Sequence, residues 1–161
     1  MKVAILFSAV FPYRVPVFDA LGHDYHIVYQ CGTEPNRPWA TTPLAHKHTF
    51  LRERYLRLGH EKYLHCNLDT FSVLSKIDPD VVVLYGDTLT MQFAFLWAKL
   101  HNRPTVYWTD GWAHTERNKS TRQKWIERQM VIHASAYIAT GKKTREYLIS
   151  LGASEARIHI S

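Results

Sequence analysis

Short apolar runs recur along this chain at intervals that fit one strand per folding unit. They are Lys2–Phe7, His26–Cys31, Val81–Tyr85, Thr105–Trp108 and Ala136–Ala139, all rich in Val, Ile, Tyr or Ala. None alternates cleanly between apolar and polar positions, as expected of parallel strands covered on both faces. A weaker run, His48–Tyr55, alternates in places and predicts an edge strand. Ile158–Ile160 predicts one more strand at the end of the sequence.

Helical patterns lie between these runs. Val15–Leu21 reads as a short helix starting beside Pro16. Asn67 is placed to cap a helix from Leu68 to Ile77, and Thr88 to cap one from Leu89 to His101. Ser120 and Gln123 have capping-box spacing for a helix running to about Ser135. Thr140 is placed to cap Lys142–Leu151, and Gly152 stands where a helix C′ residue belongs. Strands alternating with helices predict an α/β fold: a doubly wound, mainly parallel Rossmann-like sheet with helices on both faces. Gly32–Lys47, with three prolines, predicts a surface loop. The 161 residues suit one domain, or one with a short appendage, large enough to bury roughly 70% of its unfolded surface.

Charge and cysteine usage narrow the setting. A net charge of +6 leaves nucleic acid, an anionic membrane surface and a phosphorylated ligand open as partners, beside an ordinarily basic soluble protein. Cys31 and Cys66 lack C-x-x-C spacing and predict reduced thiols in a cytoplasmic compartment. The apolar run Val3–Phe11 reads as a buried strand rather than a signal segment, because Pro12-Tyr13-Arg14 follows it without a small-residue cleavage site. No segment reaches membrane-spanning length. The scattered glycines form neither G-x-G-x-x-G nor a P-loop, and no G-x-S-x-G elbow is present. His46, His48, His60, His65 and Cys66 lack zinc-site spacing, so no metal site is expected.

Ligands of open α/β sheets bind outside the carboxyl ends of the strands, where the strand-to-helix loops converge. Those loops carry Tyr13 and Arg14, then Asp87, then Asp110, Gly111, Trp112 and His114, then Thr140 and Lys142. Each has a plainer reading. Asp87 with Thr88 is a helix cap, Asp110-Gly111 a turn pair, and Thr140 with Lys142 a helix start. Arg14 as a rim-covering side chain and His114 as a solvated loop histidine stand beside their chemical roles. A guanidinium recognises phosphate or carboxylate, and an imidazole transfers a proton near neutral pH. In the helix from Ser120, Lys124 and Arg128 share one side, and Ile126 and Met130 a stripe with Trp125 beside it. A solvated face, or peripheral membrane contact through residues 120–135, fits this pattern.

Several segments resemble a known family. Met1–Phe7 followed by Pro12-Tyr13-Arg14-Val15-Pro16-Val17-Phe18-Asp19-Ala20-Leu21 is similar to the opening of one branch of family 4 (group 1) GT-B glycosyltransferases. Ile77-Asp78-Pro79-Asp80-Val81-Val82-Val83, Arg103-Pro104-Thr105-Val106-Tyr107-Trp108 and Ala134-Ser135-Ala136-Tyr137-Ile138-Ala139-Thr140 resemble that family's later strand approaches. Glu146-Tyr147-Leu148, Leu151-Gly152-Ala153 and Arg157–Ile160 complete the order.

The resemblance implies that residues 1–161 form the N-terminal, acceptor-side domain, and that a C-terminal donor-binding domain lies outside the sequence. It implies a retaining transfer from a nucleotide-sugar donor to a hydroxyl of a carbohydrate or lipid-linked acceptor, with no cofactor and no nucleic acid. Alone, this half is expected to be inactive. His114 and Asp110 are the catalytic candidates, with His114 near the acceptor. Tyr13, Arg14, Asp87, Gly111, Trp112, Thr140 and Lys142 are the substrate-binding candidates, Arg14 standing toward the donor phosphates and Thr140 in place of a cleft serine. A stand-alone flavodoxin-like binding module and a basic nucleic-acid-binding domain are the alternatives.

Overall fold

A computed structural model describes residues 1–33, 43–53, 55–57 and 63–161. Seven strands form one parallel sheet: β1 (Val3–Phe7), β2 (Tyr25–Tyr29), β3 (His48–Phe50), β6 (Val81–Tyr85), β7 (Thr105–Thr109), β8 (Ala136–Ala139) and β9 (Ile158–Ile160). Their spatial order is β3-β2-β1-β6-β7-β8-β9. The chain first winds outward from β1 to β3, then returns to the other side of β1 and winds outward again. That reversal puts a topological switch point between β1 and β6. β4 (Tyr55–Arg57) and β5 (Tyr63–His65) form a separate antiparallel pair.

The five central strands agree with the apolar runs to within two residues at either end. The edge differs. His48–Tyr55 predicts one strand, but β3 is only three residues long, and Tyr55 begins the antiparallel pair. Arg54, between them, lies outside the described residues, as do His60 and positions 34–42 of the predicted surface loop.

Strand residues alternate between the two faces, so β1 sends Ala4 and Leu6 to one core and Val3, Ile5 and Phe7 to the other. The first core contains Leu74 of α2 (Thr70–Ile77), Met91 and Trp97 of α3 (Leu89–Leu100), Met130 of α4 (Thr121–Ile132) and Leu148 of α5 (Lys142–Ser150). The second is roofed by Phe18 of α1 (Val15–Asp19). Helices therefore lie on both faces, but unequally. Right-handed crossovers explain the asymmetry: the β1–α1–β2 unit winds opposite to the units beyond the switch point, so its helix lands on the opposite face.

Helix starts separate two kinds of cap residue. Thr88 Oγ1 accepts from Met91 N–H, and Ser120 and Gln123 form the reciprocal capping box. Gly152 follows α5 at φ +102°, where a Cβ would be strained. Asn67 and Thr140 are corrections. Asp69, not Asn67, precedes α2, and Gly141, not Thr140, precedes α5; neither start has a side-chain cap. Asn67 is fully buried instead. Its amide donates to Gln30 O and Arg52 O, and its carbonyl oxygen accepts from Thr90 Oγ1. A cap satisfies one orphan N–H, whereas this amide ties three segments together beneath the sheet rim.

Candidate functional site

The rim at the carboxyl ends of β1, β6, β7 and β8 gathers the candidate residues. Gly86 opens the loop after β6 at φ +81°, and its N–H donates to Trp108 O on the neighbouring strand. That turn is one a side chain would strain, and it lets β6 hand over directly to Asp87 and Thr88.

Beside the switch point, aromatic rings build a floor. Phe7 and Tyr85 stack with centroids 4.1 Å apart, and Trp108 meets Tyr85 edge-on at 5.2 Å. The Arg14 guanidinium lies 5.0 Å from the Trp108 ring and 5.8 Å from that of Tyr13. Stacking of this kind holds a guanidinium in place without neutralising it. Arg14 Nε is buried and makes no hydrogen bond among the described residues. Tyr13 itself stacks on Phe11 and is 64% exposed. Tyr85 Oη donates to Asp110 Oδ2 at 2.8 Å. Burial, then the charge of Asp110, raises the Tyr85 phenol well above its ordinary range, so it stays a donor.

The loop after β7 is held by a charge cluster. Lys119 Nζ lies 2.8 Å from Asp87 Oδ2, 2.7 Å from Glu116 Oε2 and 2.9 Å from Glu127 Oε2. Glu127 is 1% exposed and also accepts from Tyr107 Oη and Tyr147 Oη. Burial alone would depress the Lys119 ammonium, but the Asp87 charge and the three carboxylate hydrogen bonds outweigh it and hold its pKa above 10.5. One half-buried cation thus joins the β6 loop, the β7 loop and α4. Gly111 makes room for it: a Cβ there would come 2.9 Å from Glu116 Oε1. Its own N–H is spent on Thr109 Oγ1.

The outer end of the same loop is open. Trp112 and His114 stack at 5.1 Å, and the Lys143 ammonium sits 4.5 Å from the Trp112 ring. His114 is exposed and bonded to neither Asp110 nor another carboxylate among the described residues. Thr140 Oγ1 meets Thr144 Oγ1 at 3.4 Å, while the Lys142 side chain is exposed and unpaired among the described residues.

The structure therefore groups Tyr13, Arg14, Tyr85, Trp108 and Asp110 at the switch point, and Trp112 with His114 beside them on the β7 loop. Asp87 is turned to Lys119 rather than capping α3. Lys143, not Lys142, reaches the Trp112 ring. The organising roles of Glu127 and Lys119 leave one local signal in the sequence: Glu127, Met130 and Val131 share the buried i, i+3, i+4 face of α4. Among the described residues, no group of three His, Cys, Asp or Glu side chains is arranged to hold a metal ion.

Comparison with known proteins gives the context of this rim. Residues 17–161 match the family described as "Glycosyl transferase 4-like domain". The chain belongs to that family. No curated protein matches it. Among solved structures, the UDP-GlcNAc 2-epimerase of Methanocaldococcus jannaschii is 21% identical with a TM-score of 0.62, covering 99% of this chain and 45% of its own. HepE of Anabaena, solved with UDP and glucose, is 12% identical with a TM-score of 0.67, covering 99% and 44%. The Neisseria meningitidis UDP-GlcNAc 2-epimerase bound to UDP-GlcNAc is 16% identical with a TM-score of 0.61, covering 99% and 45%. At these identities the likeness establishes the shared fold, and this glycosyl transferase 4-like domain spans less than half the length of each structure. Among the described residues, no helix is long and apolar enough to cross a membrane.

Proposed function

We propose that this chain is the acceptor-side half of a retaining glycosyltransferase, working with a nucleotide-sugar donor and a carbohydrate or lipid-linked acceptor. The donor half would be supplied by further chain or by a partner. The observation that carries this reading is Arg14: a guanidinium fixed on Trp108 at the switch point, with a buried donor nitrogen left unbonded. A diphosphate leaving group gains negative charge as the sugar departs, and a pre-positioned cation stabilises that charge at no reorganisation cost. The UDP found in HepE makes a nucleotide diphosphate the natural anion to test.

In this reading Tyr13 and Trp112 flank the sugar with flat apolar surface, Asp110 orients a hydroxyl from its hold on Tyr85, and His114 meets the acceptor hydroxyl. Gly111, Asp87 and Thr140 shape the loops that carry them, and Lys142 adds positive charge at the α5 start. The exposed Trp125 of α4 suits a lesser role, resting on a membrane that presents a lipid-linked acceptor.

Steady-state kinetics of the chain joined to its donor half tests the assignment. Arg14→Ala is expected to lower kcat at least tenfold, because it acts on the departing diphosphate. His114→Ala is expected to raise KM for the acceptor more than it changes KM for the donor. Unchanged kcat in Arg14→Ala would overturn the reading.

A further inference from the structure

The opposite rim, at the amino ends of β1, β2 and β3, holds a cavity of about 580 Å³. That volume lies in the range of small-molecule sites, roughly 300–1,000 Å³. Lys2, Lys47 and Lys76 line it together with His23 and His26, against the single carboxylate of Asp24. None of the three lysines is in an ion pair among the described residues. Asp80, whose Oδ2 accepts Lys2 N–H, stands 3.6 Å from Arg103, which answers its charge. The carboxyl end of α2 borders the cavity through Val73, Lys76 and Ile77. Its helix dipole contributes about half a negative charge, far less than three ammonium groups supply.

His26 belongs to the same lining. Burial lowers its pKa, and the positive charges of Lys47 and His48 lower it further, against a weak opposing pull from the His48 backbone. The neutral ring has its Nε2 2.8 Å from Thr49 Oγ1, while Nδ1 makes no hydrogen bond of ordinary geometry.

We propose that this cavity binds a phosphate-bearing anion, with Lys2, Lys47 and Lys76 supplying the charge, and Val73 and Ile77 an apolar wall for the rest of the ligand. Three ammonium groups around one carboxylate favour a dianion over a single carboxylate ligand, and the volume exceeds what a bare phosphate fills. The site lies across the sheet from Arg14 and does not depend on the proposed transferase activity.

Calorimetric titration with inorganic pyrophosphate, and sedimentation with phosphatidic acid vesicles, test it. Lys47 and Lys76 are exposed, so the double variant Lys47→Ala/Lys76→Ala keeps the fold. It is expected to weaken pyrophosphate binding at least tenfold, with wild-type affinity falling as salt is raised. Vesicle binding alone, lost in the double variant, would assign the same phosphate chemistry to a lipid headgroup. No binding of either probe overturns the proposal. So does binding that survives in the double variant and is lost in Arg14→Ala, which would assign the pyrophosphate to the other rim.

Discussion

The two rims of the sheet treat charge in opposite ways. At the carboxyl rim, Lys119 is shared by three carboxylates, Tyr85 is committed to Asp110, and Glu127 collects two buried phenols. At the amino rim, three lysines line an open cavity with no ion pair among the described residues. Charges paired with one another fix loops in place; charges left unpaired are available to a ligand. Arg14 is the exception that makes the carboxyl rim a candidate site. It is held by aromatic rings, and no carboxylate among the described residues pairs with it, so its position is fixed and its charge is open to a ligand.

The largest expected effect follows from removing the cation that organises the carboxyl rim. Lys119→Met leaves Asp87, Glu116 and Glu127 unneutralised around one point, and should cost about 3–5 kcal/mol in guanidinium denaturation. The variant's deficit should shrink as pH falls, because crowded carboxylates bind protons more readily in the folded state than in the unfolded one. In the wild type the same sign of dependence falls in the alkaline range instead. The Lys119 pKa is raised from 10.5, so its contribution is fully present below that value and is lost as pH rises through the higher folded value. The raised Tyr107 and Tyr147 phenols act in the same direction. A flat alkaline stability profile above pH 10.5 would contradict the cluster's role.

Glu127→Gln should cost less, about 2 kcal/mol, because the amide keeps one acceptor for Tyr107 or Tyr147 and Lys119 retains two partners. Gly111→Ala should cost about 1 kcal/mol in the same assay. Its real use is as a sharper probe: the new methyl meets Glu116 Oε1, so weakened ligand binding with little stability change would show that loop placement, not folding, is what Gly111 protects.

The smallest effect lies away from both rims. Asp19 accepts from the Ala45 and His46 N–H groups and lies 2.5 Å from His46 Nδ1, whose Nε2 meets Tyr29 Oη at 3.0 Å. The hydrogen bond from His46 lowers the Asp19 pKa below 3.8 despite some opposing burial. Its contribution is therefore present above 3.8 and lost as pH falls through the lower folded value. Asp19→Asn should lower stability slightly at neutral pH, and the difference from wild type should vanish in acid, which flattens the acid limb of the unfolding profile.

The sequence exposed the scaffold better than the site. Parallel strands buried on both faces announce themselves as apolar runs, and caps such as Ser120 with Gln123 act within one turn, so both are local signals. Asn67 misled because an Asn before a helix pattern has the same local signature whether it caps or is buried. Only the folded chain brings Gln30, Arg52 and Thr90 around it. The Lys119 cluster is non-local in the same way: residues 87, 116, 119 and 127 meet through two loops and a helix. Arg14 was legible as a rim residue, but its seat on Trp108 depends on β1 and β7 lying on either side of β6.

The central claim is that this rim serves one half of a glycosyl-transfer site. It is tested most directly by measuring UDP release from UDP-glucose and UDP-GlcNAc, with the 161-residue chain alone and with the same chain joined to its donor half. The account predicts no release by the chain alone, and release by the joined protein that falls at least tenfold in Arg14→Ala. Release by the 161 residues alone, or release by the joined protein that is indifferent to Arg14, would contradict it.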